Sequence, residues 1–141
     1  MSHMNGEQIA DVVERAREAL AADSRVLTAY LFGSFARGTA SDGSDLDIAV
    51  LFREPIDARL GGPLDQLRDE VERACRRRCD LIDGRAASAD LVHRVLRDGK
   101  LLVDRDRPAR IAFEVRRRNE YFDLLPYLRQ YRRHAIRARL G

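Results

Sequence analysis

The chain has 141 residues, of which 45% are hydrophobic and 35% are charged, so it is long enough for one compact domain and has the composition of a soluble globular protein. It has no run of roughly 18 or more apolar residues and no hydrophobic leader, which argues against a membrane span and a secretory signal. The formal net charge is only +3, with Lys100 as the sole lysine. Cys75 and Cys79 have no histidine or further cysteine nearby, so we expect buried thiols in a cytoplasmic protein and no zinc site.

The first part of the chain predicts a helix followed by a buried strand. Residues 1–4 have the form of a cloning remnant and are set aside. A helix is predicted over residues 5–22, because apolar residues recur there with helical spacing: Ile9, Val12, Val13, Ala16 and Leu20. The segment Val26–Phe32 is almost wholly apolar, as expected of a strand covered on both faces. A short helix is predicted at Ser34–Arg37.

The rest of the chain alternates strands with helices. The pattern predicts, in order, a strand Asp45–Phe52, a helix from Pro63 to about Arg78, a strand Cys79–Asp83, a helix over about 88–98 capped by Ser88, and a peripheral strand Leu101–Val103. A helical region follows from Pro108, and Pro126 is expected to break or kink it before a final short helix. We therefore predict an α/β fold, with a small mixed sheet flanked by helices and a C-terminal helical tail. Residues 5–105 would form the core, and residues 106–141 an extension packed on the core or on a partner.

The segment between the first two strands predicts a phosphate and metal site. It reads Gly33-Ser34, ten further residues, then Asp45-x-Asp47. A Gly-Ser turn can present backbone N–H groups to phosphate, and a helix that starts there adds partial positive charge. Two carboxylates two residues apart on a strand point to the same face, which suits magnesium bound to a nucleotide. A P-loop is excluded, because its lysine is absent and a strand follows instead of a long helix.

This motif resembles that of the nucleotidyltransferase superfamily, which includes DNA polymerase beta and kanamycin nucleotidyltransferase. The whole segment from Gly33 to Phe52 is most similar to the minimal nucleotidyltransferases (MNT) that are encoded beside HEPN-type toxins. The resemblance implies ATP as substrate, two magnesium ions as cofactors, and a third carboxylate on a neighbouring strand.

Two aspartates are candidates for the third carboxylate, Asp80 and Asp83. Strand alternation puts them on opposite faces. The family pattern places the ligand at the first aspartate of such a run, so the resemblance favours Asp80 and leaves Asp83, beside Gly84, as a turn residue. The predicted catalytic and metal-binding residues are therefore Asp45, Asp47 and Asp80.

The predicted nucleotide-binding residues are Gly33, Ser34, Arg37 and Ser44. Ser34 would hydrogen-bond a β- or γ-phosphate oxygen, together with backbone N–H groups near Gly33. Arg37 could approach the triphosphate or could brace the loop through Asp42, and the sequence leaves both open. Ser44 is grouped with these residues as the cap of the turn that leads into Asp45.

The resemblance implies an antitoxin that transfers AMP from Mg-ATP to a tyrosine of a HEPN ribonuclease toxin. A chain of this size has no extra module to grip a small acceptor, which favours a protein acceptor. Two alternatives remain: an aminoglycoside-type adenylyltransferase, and an antitoxin that acts by binding alone. Arginine runs at 76–78, 116–118 and 129–139 predict solvated faces or a basic surface for an acidic partner, whereas direct nucleic-acid binding is not expected.

Overall fold

The computed structural model describes the backbone of residues 2–140 and the side chains of residues 2–136. Nine elements follow in this range: α1 (Gly6–Ala22), β1 (Val26–Phe32), α2 (Gly33–Arg37), β2 (Leu46–Phe52), α3 (Pro63–Cys75), β3 (Cys79–Asp83), α4 (Ala89–Asp98), β4 (Lys100–Asp104) and α5 (Arg107–Leu140). Within these residues, no helix has both the length and the apolar character that crossing a membrane requires.

The four strands form one mixed sheet in the order β3-β2-β1-β4. The central strand β1 is antiparallel to β2 and β4, and β2 is parallel to β3. The predicted α/β class with a mixed sheet is confirmed, and β4 is an edge strand as expected. Because β2 and β3 run in parallel, their N-terminal ends lie side by side.

Helices cover both faces of the sheet, which explains why β1 and β2 are so apolar. On one face, α1 and α3 contribute Leu20, Leu67 and Val71 to the main core, where they pack with alternate residues of the strands, such as Ile48 and Val50. On the other face, α4 and the start of α5 contribute Val92 and Phe113. This second face is the one that carries the functional side chains at the strand ends.

Both cysteines are free and buried, as predicted. Burial raises the pKa of Cys75 to about 11 and the pKa of Cys79 to about 12. The thiols are therefore protonated at neutral pH and have little nucleophilic character.

The N-terminal residues 2–4 lie along the loop that precedes β2. The N–H of Met4 donates to the carbonyl of Ala40 at 3.0 Å, and the N–H of Asp42 donates to the carbonyl of Ser2 at 3.0 Å. The segment that has the form of a cloning remnant is thus in contact with the functional loop.

Two helix ends differ from the prediction. Of the break or kink predicted at Pro126, the break with a separate final helix is wrong, because α5 is one helix of 34 residues with Pro126 inside it, and the kink stays a prediction. Proline costs a single backbone hydrogen bond, and in this exposed part of the helix water can satisfy the released carbonyl of Phe122. Helix α3 ends at Cys75, not near Arg78, because Arg76 adopts a left-handed backbone conformation with φ of 51°.

The first turns of α5 are fixed to the sheet by polar contacts. The Tyr30 hydroxyl donates to Glu114 at 2.9 Å. Arg110 pairs with Asp104 at 3.0 Å and with Glu114 at 3.2 Å. Farther along, α5 still contacts α4, where Tyr121 stacks on His93 and Arg132 pairs with Asp90 at 3.5 Å, while several of its large apolar side chains are exposed.

Candidate active site

Asp47 and Asp80 face each other across two neighbouring strands. They are register partners in the parallel pair of β2 and β3, and Asp47 also lies opposite Phe32 at the end of β1. Side chains of partners in register point to the same face of a sheet, so both carboxylates lie on the side that α4 covers. Asp45 stands just before β2, close enough for its charge to act on Asp47.

Burial and neighbouring charges shift the pKa of Asp47. Its pKa is raised above the ordinary aspartate value, first by burial and then by the negative charges of Asp80 and Asp45, while the positive charge of Arg37 opposes these effects. Three carboxylates that repel one another cost free energy unless a cation joins them. The predicted set of three aspartates is thus brought to one place by the fold.

Gly33 is required by its contact with Asp47. Its φ is +71°, and a Cβ at this position would lie 2.2 Å from Oδ2 of Asp47. Only glycine fits such a backbone so close to a carboxylate. Helix α2 begins at Gly33, and its second residue, Ser34, is half-buried one position from this contact. Gly33 of the Gly-Ser pair therefore packs directly on Asp47, the second aspartate of the Asp-x-Asp motif.

A cleft of about 450 Å³ opens beside these residues, between α2, the strand ends and α4. Its volume lies within the range of small-molecule sites, roughly 300–1,000 Å³. It is lined by Phe32, Gly33, Arg37, Asp47, Asp80, Ile82, Leu91, Arg94 and Asp98. Of the two orientations left open for Arg37, the structure favours the one toward the cleft, since Arg37 lines it and its charge acts on Asp47.

The sequence did not predict Arg94 and Asp98 as part of this cleft. Both lie on α4, whose helical pattern indicates only which residues are buried. Their polar spacing resembles any solvated helix face, so no local signal could have singled them out. His93, on the same helix, stacks on Tyr121 of α5 with ring centroids 3.7 Å apart.

Two of the remaining residues have structural contacts. Oγ of Ser44 accepts a hydrogen bond from the N–H of Ser41 at 2.9 Å, inside the loop that precedes Asp45. Asp83 accepts a hydrogen bond from the N–H of Arg85 at 3.0 Å, which is the turn role expected of it. Ser44 thus closes the turn that leads into Asp45, and it is not among the residues that line the cleft.

A second pocket, of about 740 Å³, lies on the other side of Asp80. The arginine run at 76–78 borders it together with Arg68, while Asp45 and Asp80 form the side next to the cleft. Asp80 therefore stands between a cleft that contains Gly33 and Arg37 and a pocket that is rich in arginine.

The donor set fits a magnesium ion that arrives with a nucleotide. Within the described residues, no group of three or more His, Cys, Asp or Glu side chains is arranged to hold a metal by itself. Magnesium, however, commonly takes one or two carboxylates and completes its shell with phosphate oxygens and water. A magnesium ion bound at these carboxylates would offset the repulsion that Asp80 and Asp45 exert on Asp47.

Comparison with known proteins shows the family to which the chain belongs. The family model described as Polymerase beta, Nucleotidyltransferase matches residues 14–108. The curated protein adenylyltransferase MntA of Shewanella oneidensis is 40% identical over 75 residues, which is 52% of this chain and 50% of that protein. The chain thus spans about half the length of the curated relative that it matches.

Solved structures with the same fold extend the similarity to most of the chain. A crystal structure of a toxin-antitoxin with AMP-PNP contains a chain that is 27% identical, with a TM-score of 0.71 over 92% of this chain and 98% of that one. A structure described as a minimal nucleotidyltransferase is 31% identical, with a TM-score of 0.54 over 71% of this chain and 98% of its own.

Proposed function

Because the chain belongs to the polymerase beta nucleotidyltransferase family, we propose that it transfers AMP from Mg-ATP to a tyrosine of a partner HEPN ribonuclease toxin and thereby acts as an antitoxin. The observation that carries the proposal is the pairing of Asp47 with Asp80 beside the Gly33 turn. A protein adenylyltransferase among its relatives supports a protein acceptor, and a toxin-antitoxin with AMP-PNP among its structural neighbours supports ATP and a toxin partner. Because ATP is the donor, we place the protein in the cytoplasm.

The triphosphate would bind in the cleft next to α2. Backbone N–H groups at Gly33 and the hydroxyl of Ser34, the first two residues of α2, would bind phosphate oxygens, and Arg37, which lines the cleft with Gly33, supplies a guanidinium. The apolar side chains Phe32 and Leu91 offer contacts for the uncharged part of the nucleotide. In this arrangement the leaving pyrophosphate would lie next to the positive charge of Arg37.

Asp45, Asp47 and Asp80 would hold two magnesium ions together with the triphosphate. Magnesium bound there would neutralise the charge of the pyrophosphate, and it would lower the pKa of the acceptor hydroxyl. Asp80 orients the acceptor, because it alone among the three aspartates borders both the cleft and the arginine-lined pocket.

The reaction is an in-line displacement at the α-phosphorus, in which the attacking and leaving oxygens lie on opposite sides. The tyrosine oxygen forms a bond to the α-phosphorus, and the bond from that phosphorus to the bridging oxygen of the β-phosphate breaks. Pyrophosphate leaves with the bonding electrons and would be stabilised by Arg37, and the phenol proton would pass to the carboxylate of Asp80. AMP remains attached to the tyrosine.

The second half of α5 is the surface we assign to the partner. Past the contacts that fix its first turns, the helix exposes large apolar side chains: Phe122, Leu124, Tyr127, Tyr131 and Ile136. Exposed aromatic residues in a row are typical of protein interfaces. This surface also supports the alternative of an antitoxin that neutralises its toxin by binding alone.

An aminoglycoside acceptor is disfavoured by the pocket beside Asp80. Aminoglycosides are polycations, and the pocket beside Asp80 has an excess of positive charge, with four arginines (Arg68, Arg76, Arg77 and Arg78) against three carboxylates (Asp45, Glu72 and Asp80). Like charges at an entrance raise the free energy of binding.

The proposal is tested by incubating the protein with ATP labelled at the α-phosphate, magnesium, and the product of the neighbouring reading frame. Label should appear on a tyrosine of that product, and the double variant Asp45→Asn/Asp47→Asn should bind the product without labelling it. Protection of cells by the double variant would support neutralisation by binding alone, and labelling of an aminoglycoside would support the small-molecule activity.

A further inference from the structure

Arg77 connects the loop that carries Asp45 to the strand that carries Asp80. It lies in the connection between α3 and β3, three positions before Asp80. One of its terminal nitrogens, Nη1, donates to the carbonyl of Asp42 at 2.9 Å and to the carbonyl of Ser44 at 2.8 Å, with the carbonyl of Ser41 at 3.4 Å. The carbonyl of Ser44 belongs to the peptide bond that leads directly into Asp45.

The same guanidinium also contacts the nucleotide-binding turn. It lies over the ring of Phe35, 5.2 Å from the centroid, and its Nη2 is 3.6 Å from Sδ of Met4. Phe35 follows Ser34 on α2 and is 2% exposed, so its ring is a fixed platform. Arg77 therefore contacts the loop before Asp45 and the helix that begins at Gly33, and it lies only three residues before Asp80 in the chain.

We propose that Arg77 is a positioning residue, which holds Asp45 at the correct place relative to Asp80 and to the turn at Gly33 and Ser34. The inference rests on the proposed function and adds a residue to it. The loop needs such a hold because the segment between α2 and β2 has no helix or strand of its own beyond the isolated bridge at Ser41.

The chemistry of arginine suits this task better than that of lysine. A planar guanidinium can stack on an aromatic ring while its N–H groups reach several carbonyls in the same plane. An ammonium is a compact point charge that cannot do both from one position. Nη1 is engaged by backbone carbonyls, so through this nitrogen Arg77 acts on the loop, although the side chain also borders the arginine-lined pocket beside Asp80.

The test compares Arg77→Lys with Arg73→Lys, a matched change at an exposed position of α3 that pairs with Glu70. In hydrogen–deuterium exchange, residues 41–45 should exchange about tenfold faster in Arg77→Lys, with the amides of β1 and β2 unchanged. In AMP transfer, kcat should fall about 10- to 100-fold while KM for ATP stays within about twofold. Arg73→Lys should match the wild type in both measurements.

Several outcomes would overturn the inference: wild-type exchange and wild-type kcat in Arg77→Lys, a loss confined to KM, or an equal loss in Arg73→Lys. If Arg77→Lys does not fold, Phe35→Leu decides, because it removes the aromatic ring under the guanidinium while keeping an apolar side chain in the main core. With an unchanged thermal melt, residues 41–45 should exchange faster and kcat should fall about threefold; unchanged exchange and kcat would then refute the proposal. If the wild type transfers no AMP, the proposed function fails, whereas the exchange comparison still tests the contact.

Discussion

Asp47 on β2 is the direct register partner of Asp80 on β3, and its carboxylate fills the space that Gly33 leaves without a side chain. One carboxylate thus touches both parts of the site, the phosphate-binding turn and the third aspartate. Its position explains why its pKa is raised and why the turn has glycine at its first position.

Replacing Asp47 by Asn should stabilise the protein in the absence of metal while abolishing its activity. The carboxylate of Asp47 is partly buried, and the charges of Asp80 and Asp45 repel it. Replacing it by a neutral amide therefore removes an unfavourable electrostatic energy. Because solvent screens the site, the gain at neutral pH should stay below about 1 kcal/mol. AMP transfer should fall at least about 100-fold.

The pH dependence of that stability difference provides a further check. A raised pKa means that the folded state binds the proton more tightly than the unfolded state, so the penalty from Asp47 develops as pH rises from the ordinary aspartate pKa through the raised pKa. Thermal melts of wild type and Asp47→Asn should therefore differ at neutral pH and converge in acid. A constant difference across this range would argue against the repulsion.

Gly33→Ala should disrupt the site more than Gly38→Ala, although both glycines have nearly the same backbone conformation. Their φ values are +71° and +76°, but only at Gly33 would a Cβ meet another group, Oδ2 of Asp47. We expect a loss of about 1–2 kcal/mol for Gly38→Ala from backbone strain alone, and about 2–4 kcal/mol for Gly33→Ala. Denaturant unfolding gives the stabilities, and titration with AMP-PNP should show weaker binding for Gly33→Ala. Equal losses would show that the Asp47 contact has no effect.

Glu114→Ala should loosen α5 from the sheet. Glu114 accepts from Tyr30 and pairs with Arg110, and its side chain is 13% exposed, so its removal leaves the Tyr30 hydroxyl without its partner and Arg110 paired with Asp104 alone. The expected loss in unfolding free energy is about 2–3 kcal/mol. Glu120→Ala is the control, since Glu120 is 46% exposed in its pair with Arg117 and should contribute less than about 0.5 kcal/mol. A loss at Glu120 as large as that at Glu114 would contradict this account.

The double change Tyr127→Ser and Tyr131→Ser should weaken binding of the partner toxin without affecting binding of AMP-PNP. Both tyrosines are exposed on α5, at 70% and 74%, beyond the helix turns that the core holds. Each should cost about 1–2 kcal/mol of association free energy if it lies in the interface. Calorimetry with toxin and with AMP-PNP separates the two effects; unchanged toxin affinity would place the interface elsewhere.

The sequence predicted those features that depend on local pattern. The bounds of β1 and β3 and the cap at Ser88 follow from apolar runs and capping chemistry, whereas the choice of Asp80 over Asp83 stays a prediction. It could not predict that Arg77 bonds to the loop before Asp45 or that Arg94 lines the cleft, because both depend on how distant segments pack. At Pro126 the local rule failed, since an exposed helix tolerates one missing hydrogen bond.

The pairing of Asp47 with Asp80 is tested most directly by comparing AMP transfer in Asp80→Asn and Asp83→Asn. Both variants replace one carboxylate of β3 by an amide of the same size, and the amide oxygen at position 83 can still accept from the N–H of Arg85. Transfer of labelled AMP to the toxin should be lost in Asp80→Asn and retained in Asp83→Asn. Retained transfer in Asp80→Asn, or loss only in Asp83→Asn, would contradict the site described here.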